Sequence, residues 1–237
     1  MSVPVFLAED LTGRRIVLQG AEGRHAAGAK RLRPGEAVEL VDGRGGRADC
    51  RVQQVGRDEV VLEVVALVQE PAPAPRLVLV QALPKGDRGE LAVELATEVG
   101  VDEIVPWVAA RCVMQWKGER GEKALARWRA TAREAAKQSR RAWVPEVTAL
   151  HTTAQVAARL RGGTALVLHE AAATPLTGLA LPSEGQVSLV VGPEGGITDD
   201  ELTALGATAV RLGPGVLRTS TAGAVGVALV SARTGRW

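Results

Sequence analysis

Residues 192–196 read Gly-Pro-Glu-Gly-Gly, and residues 212–221 read Leu-Gly-Pro-Gly-Val-Leu-Arg-Thr-Ser-Thr. Each lies between an apolar run and a helical pattern. Glycine carries no Cβ, so such loops let backbone N–H and C=O groups come close to a ligand. Two of them near one C-terminus point to a small-molecule site at the C-terminal edge of a sheet. The first loop has neither the G-x-G-x-x-G of dinucleotide binders nor the Gly-Lys-Ser/Thr of a phosphate loop. A single glycine-rich loop is more often a tight turn than a site. It is the pairing of the two that favours a site.

A second concentration of chemistry is electrostatic. Residues 111–141 carry Arg111, Lys117, Arg120, Lys123, Arg127, Arg129, Arg133, Lys137, Arg140 and Arg141 against Glu119, Glu122 and Glu134. A basic surface of this kind suits a polyanion such as nucleic acid, and a solvated helix face accounts for the same charges equally well. With no Tyr and one Phe, Phe6, base contacts are expected to lean on arginine. Cys50 and Cys112 lie far apart, and His25, His151 and His169 do not cluster. That spacing argues against a metal site and a disulfide framework and for a reducing compartment. No signal peptide and no membrane span are read, so a cytoplasmic location is expected.

The elements that must position these loops fall into two groups. Residues 1–68 read as short strands such as Arg15–Leu18, Ala37–Val41 and Glu59–Val65, with Asp42-Gly43 and Gly45-Gly46 marking a hairpin. A small β-barrel is the natural expectation. Residues 69–75, Gln-Glu-Pro-Ala-Pro-Ala-Pro, form a stiff linker. From Leu77 onward strands and helices alternate, which predicts an α/β domain with a mostly parallel sheet over 76–237. Its strands are expected at 77–80, from 104, at 165–168 and at 187–191, with helices over 87–99, 121–141 and 220–232. Thr198 opens one further helix with Asp199, Asp200 and Glu201 in its first turn, and Thr219 or Ser220 can cap the last.

The two loops, with Glu201, resemble those of the SPOUT, or trefoil-knot, methyltransferases. Lys85-Gly86-Asp87-Arg88 with Ala96-Thr97-Glu98-x-Gly100-Val101, Glu134-Ala135-Ala136-x-Gln138-Ser139 and Val144-Pro145-Glu146 extend the likeness. His25, Arg31-Leu32-Arg33-x-Gly35 and Asp42-Gly43 match an N-terminal barrel of PUA type. The likeness covers most of the chain and is closest to the branch that makes N3-methyluridine in 16S ribosomal RNA. Gly215 and Ser220 depart from that pattern, where Arg and Glu are usual.

The resemblance implies a PUA-like RNA-binding β-barrel, then a SPOUT domain knotted over about 165–237, in a homodimer built on the last helix. Ala222, Gly223, Ala224, Gly226 and Ala228 there suit either a partner backbone or the chain's own sheet. S-adenosyl-L-methionine is the implied cofactor, held by Leu168, His169, Gly192, Glu194, Gly195, Gly196, Leu212, Gly213, Val216, Leu217 and Thr219. The implied partner is 16S rRNA in the small ribosomal subunit, contacted by Arg31, Arg33, Lys85, Arg88, Arg111, Arg140 and Arg141; no metal and no membrane are implied. Arg218 is expected to stabilise charge on the uracil oxygens, with a salt bridge within the knot as the alternative. Glu98 or Glu94 is the expected base, unless both only cap or brace the sheet. Two rival functions are a SPOUT enzyme with another RNA target and a non-catalytic RNA-binding or assembly protein.

Overall fold

The structure, a computed structural model, describes residues 3–237. Its contacts divide it into two units: the residues up to Ala72 together with Ala136–Val144, and Pro73–Ala135 together with Pro145–Trp237. The inclusion of Ala136–Val144 in the first unit has no counterpart in the sequence pattern. It follows from packing: Ala142 is buried with Leu7 and Val41, and Lys137 pairs with Glu22 at 2.7 Å while 8% exposed.

The first unit is a five-stranded sheet. Its strands are β1 (Val5–Leu7), β2 (Arg15–Leu18), β3 (Ala37–Val41), β4 (Gly46–Val55) and β5 (Val60–Gln69), in the order β1-β3-β4-β5-β2. Helix α1 (Gly20–Arg24) follows β2 and runs into a π turn over His25–Ala29. β4 alternates, so Ala48, Cys50 and Val52 face a core with Phe6, Leu40 and Leu62. Burial pushes the Cys50 thiol up to about 11, so it packs as an apolar group.

The second unit alternates as the sequence predicts. β6 (Arg76–Ala82), α2 (Arg88–Glu98), β7 (Glu103–Val108) and α3 (Gly118–Gln138) are followed by the short β8 (Glu146–Val147) and β9 (His151–Thr152). Then come α4 (Thr153–Leu160), β10 (Thr164–Leu168), β11 (Gln186–Val191), α5 (Asp199–Leu205), β12 (Thr208–Val210) and α6 (Thr219–Thr234). The sheet order is β12-β10-β11-β6-β7-β8, with β9 extending the pairing of β7, and every pairing is parallel. Parallel strands covered on both faces read as continuous apolar runs, as Leu189-Val190-Val191 does. Odd and even positions of β6 separate the faces. Leu77 and Leu79 pack with α2, α3 and α6 through Val93, Trp128 and Val227, whereas Val78 and Val80 pack with α4 and α5 through Val156 and Leu205.

The ends of α3 and the start of α6 depart from the sequence expectation in ways that have a physical reason. α3 runs from 118 to 138, not 121 to 141, and Arg140 beyond it adopts φ +56°, a left-handed conformation that cannot continue a helix. The N-cap of α6 is Arg218, whose side chain makes no capping bond. Thr219 and Ser220 are instead buried in its first turn, so neither caps it. No helix among the described residues is long and apolar enough to cross a membrane.

Candidate cofactor and substrate site

Strand order decides where a site can form. β11 lies inside β10, whereas the next strand, β12, lies outside it. The connections leaving β10 and β11 therefore diverge at their C-terminal ends, and such a reversal opens a crevice there. A cavity of about 320 Å³ occupies this edge, within the range of small-molecule sites.

The loop after β11 forms one wall. Gly196 has φ +76°, a region L side chains rarely adopt, and its N–H closes a turn on the Pro193 carbonyl at 2.9 Å. A Cβ on Gly192 would stand 2.5 Å from Ile197 Cγ1, so that residue is glycine for its own chain's packing. The loop is braced from two sides. Arg111 Nη1 donates to the Gly195 carbonyl at 3.0 Å, and the Lys85 N–H donates to Glu194 Oε1 at 3.2 Å.

Just beyond, Thr198 and Glu201 form a capping box that starts α5. Glu201 is only 6% exposed. Its Oε1 also accepts from the Ala110 N–H at 2.8 Å and from Thr153 Oγ1 at 3.1 Å. One buried carboxylate thus ties the starts of α4 and α5 to the segment after β7. Its place in the sequence marked a helix start and part of the family resemblance; nothing in the spacing signalled the links across the sheet.

The opposite wall comes from β10 and the loop after β12. The His169 N–H donates to the Val210 carbonyl at 2.9 Å, and His169 Nδ1 accepts from the Ala171 N–H at 3.2 Å. The Arg211 N–H donates to the Thr174 carbonyl at 2.9 Å, while its guanidinium grips the carbonyls of Ala172 and Ala173. The segment after β10 is thereby fixed to the strand that opens the second loop.

Leu168, His169, Gly192, Glu194, Gly195 and Gly196 line the cavity, together with Val216, Leu217 and Thr219. Leu212 and Gly213 line a smaller adjoining pocket that shares Leu168, His169, Val216 and Leu217. Arg111, Glu170, Val191, Pro193, Ile197 and Ala222 also face the main cavity and were not among the cofactor residues expected from sequence. Arg111 belongs to the loop wall by its bond to Gly195, a contact between residues 84 positions apart that no local pattern announces.

Arg218 is exposed and stands between two lining residues, Leu217 and Thr219, without itself lining the cavity. Glu94 and Glu98 are not brought to the cavity. Both are exposed on α2, and α2 returns from the C-terminal end of β6 to the start of β7. Glu98, its last residue, thus lies at the sheet edge opposite the glycine loops. The corresponding motif forms the end of α2.

The expected RNA contacts divide between the units. Lys85, Arg88 and Arg111 lie at the C-terminal edge of the parallel sheet, whereas Arg31, Arg33, Arg140 and Arg141 lie in the first unit. Many charges of the basic segment have internal partners: Arg127 with Glu90 at 3.0 Å, Lys123 with Glu119 at 2.6 Å, and Arg129 with the Val147 carbonyl at 3.0 Å. The segment is not one uncommitted basic face.

Gly223 and Gly226 of α6 serve the chain's own sheet. A Cβ on Gly223 would stand 2.9 Å from Leu79 Cδ2, and one on Gly226 would stand 3.1 Å from Leu168 Cδ1. Their small size is explained within one subunit.

Comparison with known proteins agrees with this architecture. The RNA methyltransferase domain family matches residues 70–231, and the RNA methyltransferase PUA domain family matches residues 18–65. The chain is 50% identical to the ribosomal RNA small subunit methyltransferase E of Mycobacterium bovis, over 95% of this chain and 89% of that protein. It is 31% identical to the protein of the same name from Bacillus subtilis, over 92% of this chain and 90% of that protein. The crystal structure of the Neisseria gonorrhoeae protein of that name bound to S-adenosyl methionine superposes with a TM-score of 0.88 at 28% identity, covering 98% of both chains. With a parallel sheet of this order, a PUA-like unit ahead of it and half its residues shared with such a relative, the chain belongs to the SPOUT family of RNA methyltransferases.

Proposed function

We propose that the protein transfers a methyl group from S-adenosyl-L-methionine to N3 of a uridine in 16S ribosomal RNA, acting in the cytoplasm. The observation that carries this reading is the cavity between the two glycine loops. Its lining suits the cofactor: Leu168, Val191, Ile197, Val216 and Leu217 offer apolar surface to an adenine, and the loop backbones offer donors and acceptors to its polar edge. Glu170 and Glu194 supply carboxylates for a cationic ligand. When bound, S-adenosyl-L-methionine supplies an electrophilic methyl group.

The chain's own work is positioning and charge stabilisation. Loop walls held by Arg111, Lys85 and Glu201 keep the cavity preorganised, and orientation of two reactants is a major source of rate. As the N3 proton leaves, negative charge spreads over N3 and the flanking carbonyl oxygens of uracil. Arg218, exposed beside Leu217, is the cation we assign to that charge. We assign no protein base, since Glu94 and Glu98 stand away from the cavity.

The chain course supports a trefoil knot. β12 pairs outside β10, yet α6 returns to pack on β6 and β11. The 169–185 segment touches both ends of that path, through Arg211 to Thr174 and through Arg233 Nη2 to the Leu179 carbonyl at 2.8 Å. We assign to α6 the threaded position beneath this segment.

A homodimer is part of the reading. α6 carries one charge, Arg233, and a helix apolar on all sides is normally buried all round. Its stripe Thr221, Val225, Ala228 and Ala232 is left only partly covered, and Val216 and Leu217 are exposed beside it. That surface is what a second subunit would cover.

The test uses purified protein. Calorimetry should give a 1:1 complex with S-adenosyl-L-methionine, and 16S rRNA incubated with both should yield N3-methyluridine on nucleoside digestion. Cofactor binding without transfer to any rRNA would leave the chain a binding protein.

A further inference from the structure

A second cavity lies at the same edge of the second unit, on the far side of the Lys85–Glu194 hydrogen bond from the cofactor cavity. Pro84 and Gly86 line the one, Glu194 lines the other, and the Lys85 N–H to Glu194 contact at 3.2 Å separates them. Its volume is about 400 Å³. The family assignment and the proposed reaction leave it unused.

Its walls are aromatic and apolar within and cationic at the rim. Trp116 and Trp128 meet edge to face with ring centres 4.9 Å apart. Trp128 is buried, because Gly89 lets its ring approach to where a Cβ would be 2.7 Å away. Trp116 is half-buried and Met114 is 38% exposed, so apolar surface faces the opening. Arg120, Lys123 and Arg127 stand on one face of α3 at helical spacing. Against these three cations the lining holds one carboxylate, Glu90, which pairs with Arg127, and Lys123 pairs with the exposed Glu119 one turn away. Arg120 has no ion-pair partner among the described residues.

An indole surface framed by guanidinium groups is the recognition chemistry of an unpaired nucleotide: the ring receives a base face and the cations receive its phosphates. We propose that this cavity binds the base of a single-stranded RNA nucleotide flanking the one that is methylated, with its phosphate at Arg120 and Lys123. The inference rests on the RNA methyltransferase reading. A base undergoing chemistry must leave its stack, so its neighbours are locally unpaired and free to seat in a second pocket. The sequence, with no Tyr and one Phe, directed attention to arginine alone. Two tryptophans twelve positions apart form the platform it seemed to lack.

The test measures binding of a fluorescein-labelled, uridine-containing single-stranded RNA hexamer to the full-length protein across a range of salt. Trp116→Ala should weaken binding about tenfold or more. Arg120→Ala should flatten the slope of log affinity against log salt by about 0.7. Both variants should keep wild-type affinity for S-adenosyl-L-methionine. Arg120 lies on an exposed helix surface, so its variant decides the matter if Trp116→Ala does not fold. Variants that bind the hexamer as wild type does overturn the subsite and leave the methyl-transfer reading intact. A wild-type protein that binds no RNA and methylates none overturns both. Should Trp116→Ala instead dissociate a dimer with RNA binding unchanged, the cavity belongs to a second copy of the chain and the subsite is overturned.

Discussion

Arg111 and Gly195 are joined across the sheet edge by a hydrogen bond of 3.0 Å from a guanidinium nitrogen to a backbone carbonyl. The bond fixes the loop after β11 to the segment after β7, so an arginine that composition assigned to RNA also shapes the wall of the proposed cofactor cavity. A charge-assisted bond at an exposed position contributes about 1 kcal/mol. Arg111→Ala should therefore weaken S-adenosyl-L-methionine binding roughly fivefold by calorimetry. Unchanged cofactor affinity together with weakened RNA binding would return Arg111 to the RNA surface alone.

Gly196 tests the same wall from the backbone. At φ +76° a β-branched side chain is strained by about 1–2 kcal/mol or more. Gly196→Val should reshape the loop and lower cofactor affinity at least tenfold, while circular dichroism stays that of the wild type. Full affinity in a folded variant would move the site elsewhere.

Much of the architecture was legible because it rests on local patterns. The alternation from Leu77 onward gave a parallel sheet, and the glycine loops gave the edge at which a cavity forms. The long-range contacts were not legible. Glu201 linking Ala110 and Thr153, or Ala136–Val144 packing with the first unit, depends on residues brought together only by the completed fold. Helix ends failed for a related reason. Thr219 and Ser220 have capping chemistry, yet the apolar demand of α6 buries them. The small residues of α6 were ambiguous in sequence, and only the sheet beneath them assigns Gly223 and Gly226 to internal packing.

That assignment sharpens the test of the dimer. Ala224 is 7% exposed, so a large residue there would strike the subunit's own core. Ala228 lies on the partly covered stripe. Ala228→Arg should give a folded protein that sediments as a monomer, and the wild type should sediment as a dimer. A wild-type monomer with full activity would contradict the proposed interface.

Arg218 tests the chemistry. Removing a donor that stabilises charge only in the transition state typically costs about 10²–10³ in rate with little change in ground-state binding. Arg218→Ala should show that loss in kcat for N3-methyluridine formation, with cofactor and RNA affinities changed by only a few fold. Arg218→Lys should recover part of it, as a point charge replaces a planar fork. Turnover equal to wild type would remove Arg218 from the mechanism.

The central claim is the product itself, and nucleoside mass spectrometry of 16S rRNA from a strain lacking this protein measures it most directly. N3-methyluridine should disappear from that rRNA and return when the wild-type protein is supplied, while the other methylated nucleosides stay constant. An N3-methyluridine content identical to that of the parent strain would contradict the account.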